Sequence, residues 1–260
     1  MKIPGETFRT TYNHNYLLNL AYNGICPMID RRLNYGRHHI KNFLKKSREY
    51  KVVLDLGAGQ GNDLLNAGAI VKNAELHAVE SYPEYISILQ SKGIKVHDLN
   101  IERDPLPFKN ESVDVIICNQ ILEHCKEIWW ILHEISRVLK KNGKLIIGIP
   151  NLASLHNRFL LSAGRQPTSI QNNSAHVRGY TKNDLLRFLK SFEGGYKLIS
   201  FGGSNFYPFP AFIAKPLAAI FPTFAWGIFF LLEKRKEYNE EFLKYPQKEK
   251  LETNFYLGEK

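Results

Sequence analysis

Lys51-Val-Val-Leu-Asp-Leu-Gly-Ala-Gly-Gln-Gly61 reads as a short apolar strand that runs into a cluster of glycines. Residues 51–56 supply the strand, and residues 62–71 continue as a helix. Gly57, Gly59 and Gly61 therefore sit at a strand-to-helix turn, with Asp55 two residues before the first of them. Glycine suits such a turn because it accepts positive φ and lets a ligand approach the backbone closely. Dinucleotide sites use Gly-x-Gly-x-x-Gly to bring amides against a pyrophosphate. The spacing here is Gly-x-Gly-x-Gly, which implies a nucleotide-like ligand without fixing which one.

Working outward, the chain alternates between strand and helix patterns. Residues 75–80, 94–97, 113–118 and 144–149 read as strands, the third of these rich in β-branched residues like a buried parallel strand. Residues 82–92 read as a helix ended by Gly93. Ile128, Ile131, Leu132, Ile135, Val138 and Leu139 form one apolar stripe, with Asn142-Gly143 as the expected C-cap. Thr181-Lys-Asn-Asp184 resembles a capping box opening a helix with Leu185, Leu189 and Phe192 on one face. Residues 196–203 and 224–232 read as two further strands. Strands alternating with helices imply an α/β fold, a parallel sheet covered on both faces.

Residues 1–50 are expected to form helical cover, with Ile40, Phe43 and Leu44 opposite Lys41, Lys45 and Lys46. Residues 51–234 hold the main domain, with acceptor-side insertions at about 151–181 and 205–223. Residues 235–260 read as a charged tail. Prolines 208, 210, 216 and 222 break segment 205–223, so it reads as a loop and short helix rather than a membrane span. A lipid-facing role for it is the alternative.

The net charge is +10 over 260 residues, unevenly placed. Residues 1–50 and 151–232 each carry a net +6, and residues 51–150 a net −2. Such flanks attract phosphate groups, nucleic acid or an acidic membrane surface. The three cysteines, Cys26, Cys118 and Cys125, form no CxxC pair, which fits a reducing compartment. The first residues lack an apolar run of signal-peptide type, so a cytoplasmic location is expected, with peripheral contact at the inner membrane face as an extension.

Two acids strengthen the ligand reading. Glu80 ends the second strand, nineteen residues after Gly61, where a carboxylate accepts from ribose hydroxyls in nucleotide-binding folds. Asp98 follows the third strand, placed to accept from an adenine amino group with the Leu99 backbone beside it. The segments Val-Leu-Asp-Leu-Gly-Ala-Gly-Gln-Gly (53–61), Ala-Val-Glu (78–80), Leu-Pro-Phe (106–108), Val-Asp-Val-Ile (113–116), Gln-Ile-Leu-Glu-His (120–124), Glu-Ile-Ser-Arg-Val-Leu (134–139) and Ile-Pro-Asn (149–151) together resemble the class I S-adenosylmethionine (SAM)-dependent methyltransferases of the UbiE-like, type 11 group. The chain departs from that pattern at Val113, where Phe or Tyr is common, and at Lys141-Asn142-Gly143, where Pro-Gly-Gly is common. The resemblance implies a Rossmann-like, seven-stranded, mostly parallel sheet with its last strand antiparallel. It also implies SAM as cofactor, held by Asp55, Gly57, Gly59, Gly61, Glu80, Ser81, Asp98, Leu99 and Asn119.

The acceptor side is read from two histidines. Methyl transfer mainly requires alignment of the acceptor, and a hydroxyl acceptor gains from a general base. His124 follows the fourth strand at the carboxyl edge of the sheet, where ligands of open α/β folds gather. His176 lies in Ser-Ala-His-Val-Arg-Gly-Tyr-Thr (174–181), with Arg178 and Tyr180 expected to bind an anionic or hydroxylated acceptor. Segment 157–181 resembles one found in methyltransferases of bacterial surface-polysaccharide clusters. A sugar hydroxyl in surface-glycan or lipopolysaccharide assembly is the expected acceptor, lipid-linked or small. RNA methylation and a SAM-binding regulatory subunit without turnover are the alternatives. No basic-aromatic RNA module is visible, so nucleic acid is not the expected partner. Asp104, Glu123 and Asp184 read as turn, loop and cap residues, so no metal is expected.

Overall fold

The structure, a computed structural model, describes residues 31–47, 49–251 and 255–258. The expected helical cover before residue 31 lies outside the described residues.

Among the described residues, seven strands form one sheet in the order β3-β2-β1-β4-β5-β7-β6. They are β1 (Val52–Leu56), β2 (Glu75–Val79), β3 (Lys95–His97), β4 (Val113–Asn119), β5 (Leu139–Pro150), β6 (Tyr196–Ser204) and β7 (Gly227–Lys234). β1 pairs in parallel with β2 and β4, and β2 with β3, and β4 with β5. β7 runs antiparallel to both β5 and β6, so the last strand is the reversed one, as the sequence implied.

Alternation along the strands divides the interior into two layers. Leu54, Leu56, Ile116, Cys118, Ile147 and Phe230 face one core, shared with α4 (Ile128–Val138), α6 (Lys182–Leu189) and α8 (Glu241–Lys248). Val53, Val115, Ile117, Ile146 and Phe229 face the other, shared with α1 (Arg37–Lys46), α2 (Asn62–Ile70) and α3 (Pro83–Ser91). Each such fully buried aliphatic side chain is worth ~1.5–3 kcal/mol of transfer free energy. Ile40, Phe43 and Leu44 are the buried face of α1.

Three local readings change. The apolar stripe stops being helical at Val138, and Leu139 already belongs to β5. Asn142 does take positive φ, but inside an irregular stretch of β5 rather than at a helix C-cap. The β4–β5 register runs from Val113↔Leu139 to Val115↔Lys144, so the extra residues loop out. The segment from 235 on, expected as a charged tail, folds back through α8. Phe242 is fully buried, and Tyr245 stacks on Trp129 of α4.

On the acceptor side, α5 (Leu155–Ser162) and α7 (Ala211–Ile220) lie between strands of the second half of the sheet. α7 buries Ala214 and Ala218 in a small cluster with Leu33, Phe206 and Ala225. No helix among the described residues is long and apolar enough to cross a membrane.

Candidate active site

The glycine turn is built for left-handed backbone. Gly57, Gly59 and Gly61 have φ of 68°, 53° and 77°. A Cβ on Gly57 would lie 2.7 Å from Ile121 Cδ1, and one on Gly61 would lie 2.6 Å from Leu89 Cδ2. A Cβ on Gly59 would meet nothing within 4 Å, so that glycine faces open space. The amide of Gly57 donates to Val79 O at 2.9 Å, tying the turn to the end of β2.

Glu80 fastens the same turn. Its Oε2 accepts from Gly59 N at 2.8 Å, and its Oε1 accepts from Ser81 N and Tyr82 N at 3.0 Å each. An ionised carboxylate has about four acceptor positions, so a ligand hydroxyl competes with or joins these amides. Gly57, Glu80, Ser81, Asp98, Leu99 and Ile121 line one cavity of about 590 Å³. The structure thus brings most of the expected cofactor set around a single space. Asp55, Gly59, Gly61 and Asn119 are not in that lining.

Asp55 and Asn119 belong to a neighbouring buried network that includes two residues sequence reasoning missed. Asp63 Oδ2 accepts from Arg37 at 3.0 Å and from Asn119 Nδ2 at 2.9 Å. Asp63 Oδ1 and Asn119 Oδ1 are buried without a partner. Burial, then the nearby Asp63 charge, pushes the Asp55 carboxyl well above the usual range. Burial also raises Asp63, opposed by Arg37. Two buried carboxylates sharing one guanidinium, with acceptor oxygens to spare, favour the arrival of a second cation. Asp63 is marked in the sequence only as an acid in the first turn of a helix, which the helix dipole makes common.

A second cavity, of about 1020 Å³, is lined by Arg32, Tyr35, Arg37, His38 and Lys215 among others. Tyr35 and Arg37 connect it to the network, since Tyr35 O accepts from Asn119 Nδ2 at 3.3 Å.

Beyond β4, residues Leu122–His124 form a 3-10 turn. The backbone carbonyl of Glu123 accepts from Val177 N at 2.8 Å and Arg178 N at 3.1 Å, which docks the 174–181 loop on this turn. His124 and His176, 52 positions apart, come together with ring centroids 4.6 Å apart. His124 Nδ1 lies 3.2 Å from Ala175 O, and His176 Nδ1 lies 2.9 Å from Ser169 O. A carbonyl only accepts, so each Nδ1 carries a hydrogen, which leaves Nε2 as the position for a lone pair in the neutral tautomer. Burial and the neighbouring His176 hold His124 below the usual histidine range, so it is neutral near pH 7.

The two expected acceptor ligands have other duties. Arg178 donates from Nε to Cys125 O at 3.2 Å and from a terminal nitrogen to Lys126 O at 2.6 Å. Its guanidinium therefore laces the turn after His124 instead of standing ready as an anion clamp. Tyr180 is only 5% exposed, donates to Leu122 O at 3.2 Å and belongs to the core. It is a structural residue, and burial raises its hydroxyl pKa accordingly. Thr181 caps α6 through its hydroxyl, which accepts from Asp184 N at 3.2 Å. Glu123, read as a loop residue, is 1% exposed, and neither carboxylate oxygen has a hydrogen-bond partner. Burial pushes its carboxyl up to about 8.

The sheet order, the reversed β7 and the glycine turn after β1 define the class I methyltransferase fold. Residues 54–147 match the family described as methyltransferase domain, and over that part the chain is similar to SAM-dependent methyltransferases of class I. An uncharacterised methyltransferase of Bacillus subtilis, YcgJ, is 31% identical over 100 residues, covering 36% of this chain and 39% of that protein. A probable SAM-dependent methyltransferase of Mycobacterium tuberculosis, Rv3030, is 27% identical over 137 residues, covering 53% of this chain and 46% of that protein. The chain thus spans less than half the length of these curated relatives. The solved structure of the plantazolicin methyltransferase BpumL, in complex with a triazolic analogue and SAH, superposes with a TM-score of 0.57 at 16% identity. It covers 88% of this chain and 93% of that one, and at this identity it shows the fold alone.

Proposed function

We propose that this protein transfers the methyl group of SAM to a hydroxyl of a sugar or other small polar acceptor. The observation that carries the reading is the meeting of His124 and His176 beyond the carboxyl end of β4, on a turn where His124 N donates to the carbonyl of Ile121, a residue that lines the Gly57 cavity.

The residues present fit SAM. Gly59 offers backbone with open space over it, and Glu80 and Asp98 line the cavity as hydroxyl and amino acceptors. Gly57 and Gly61 keep the turn tight, Ser81 and Leu99 complete the walls, and Asp55 with Asn119 receives the ammonium end beside Asp63. SAM, when bound there, supplies an electrophilic methyl group on a sulfonium.

The protein's own task is then alignment and proton handling. The imidazoles of His124 and His176, each with its Nδ1–H fixed to a carbonyl, present their Nε2 atoms to an acceptor hydroxyl. The basic lining of the second cavity, Arg32, Arg37 and Lys215, supports an anionic acceptor such as a phosphate-bearing sugar. The outward face of α7, with Phe212 70% and Ile220 66% exposed, supports a lipid-linked one. Both features support a reaction in surface-glycan assembly at the inner membrane face.

The test incubates the purified protein and methyl-labelled SAM with cell extract, then treats the product with nuclease or with glycan-cleaving acid. Label released by acid and stable to nuclease is the expected result. Label lost to nuclease overturns the sugar reading in favour of RNA. Tight SAM binding with no transfer to any extract would mean a regulatory subunit.

A further inference from the structure

We propose that Glu123, His124 and His176 form a binding site for one divalent first-row transition metal ion, which takes the acceptor hydroxyl as a further ligand. The inference deepens the proposed function, because it rests on the acceptor meeting this cluster.

Among the described residues, this is the one cluster where three His, Cys, Asp or Glu side chains bring ligand atoms within 4.8 Å of one another. Proximity alone would not carry the proposal. The buried carboxylate does. Glu123 is 1% exposed, and both of its oxygens lack any hydrogen-bond donor. A buried carboxyl group is costly unless it is paired, hydrogen-bonded or bound to a metal, and no other residue fills that role here. The two imidazoles beside it are prepared as ligands. Each donates Nδ1–H to a backbone carbonyl, Ala175 O for His124 and Ser169 O for His176. Such outer partners fix the tautomer and orientation of metal-ligating histidines and raise their basicity.

The frame around the cluster is also set in advance. The Glu123 carbonyl holds Val177 and Arg178 amides, and Arg178 ties back to Cys125 and Lys126 carbonyls. Ser169, which orients His176, is itself bonded through its hydroxyl to Asn157 Nδ2 at 3.0 Å. These links keep three ligands from two distant segments in register without the ion.

Two imidazoles and one carboxylate suit ions of intermediate softness, zinc, cobalt or ferrous iron, more than the harder manganese, and leave coordination positions open for water or substrate. With the ion bound, the Nε2 lone pairs of His124 and His176 hold the metal instead of taking the proton, and a hydroxyl bound there becomes more acidic and gives its proton to bulk water. No redox change is involved.

The experiment uses the full chain, freed of metal by chelation and titrated with Mn²⁺, Zn²⁺ and Co²⁺ by calorimetry, with visible absorption followed for Co²⁺. One equivalent of saturable binding is expected, with ligand-field bands for Co²⁺. Glu123→Gln and His176→Asn should each weaken binding by ~100-fold or more, beyond the 10–100-fold typical of outer-shell losses. SAM affinity, measured separately, reports that the variants are folded. No saturable binding, or equal affinity in both folded variants, overturns the site. The titration is run without SAM or acceptor, so its result stands apart from the label-transfer test of the function itself.

Discussion

The two halves of the sheet assemble their candidate site residues in different ways. On the β3-β2-β1 side, the groups around the cavity come from neighbouring stretches of chain, and the backbone does much of the work. Gly57 bonds to Val79, and Gly59 to Glu80. On the β4-β5-β7-β6 side, the groups come from far apart, and side chains tie the loops together. His124 meets His176, and Arg178 ties back to Cys125 and Lys126. The first arrangement is encoded by short motifs. The second depends on long-range packing, and is where acceptor choice can vary over a constant cofactor fold.

The largest effect should come from breaking the first half. Gly57→Val combines a positive φ with a 2.7 Å approach to Ile121. Together these cost ~3–5 kcal/mol, and a melting temperature lower by roughly 10 °C is expected. Calorimetry should find no SAM binding. Retained affinity would remove the turn from the cofactor site. Next comes the chemistry of the second half. His124→Ala or His176→Ala should lower kcat by ~10²–10⁴-fold while SAM affinity stays within error. Unchanged turnover in both would empty the cluster of its proposed role.

A smaller effect sharpens the contrast. Asn157→Leu removes a buried hub that donates to Asn151 O and Ser169 Oγ and accepts from Thr168. Leaving those groups unpaired costs ~1–3 kcal/mol. His176 is oriented by Ser169, so turnover should fall with SAM affinity unchanged. Equal losses in both would show that the halves are not independent. The smallest effect is a pH dependence. Burial holds His39 below the ordinary histidine value, against a weaker opposing contribution from its bond to Gly203 O. Its stabilising neutral form is therefore present above about pH 6.5, and the stability is lost as pH falls toward its lower folded value. His39→Gln should flatten the drop in melting temperature between pH 7 and 5. An identical drop would assign the acid sensitivity elsewhere.

What the sequence revealed follows the same division. Strand β1, its glycines and Glu80 were legible because each is set by neighbours in the chain. Glu123 was not, since its burial depends on the 174–181 loop closing over it. Arg178 and Tyr180 looked like free polar groups because composition does not tell whether hydrogen bonds go to a ligand or to a backbone carbonyl. Asn142 was recognised as left-handed yet given to the wrong element, because its conformation serves a strand irregularity as well as a helix cap.

The place of β7 also constrains the order of events during synthesis. It fills the gap between β5 and β6, yet it is the last strand made. From the completion of Pro150 until Gly227–Lys234 emerges, β5 has an open edge carrying Leu145, Ile147 and Ile149. An unpaired apolar edge is a template for misassociation, and non-local pairing of this kind is slow to form. The nascent chain therefore spends the whole acceptor-side segment in its most aggregation-prone state, and closing that edge is the step that a chaperone would most plainly assist.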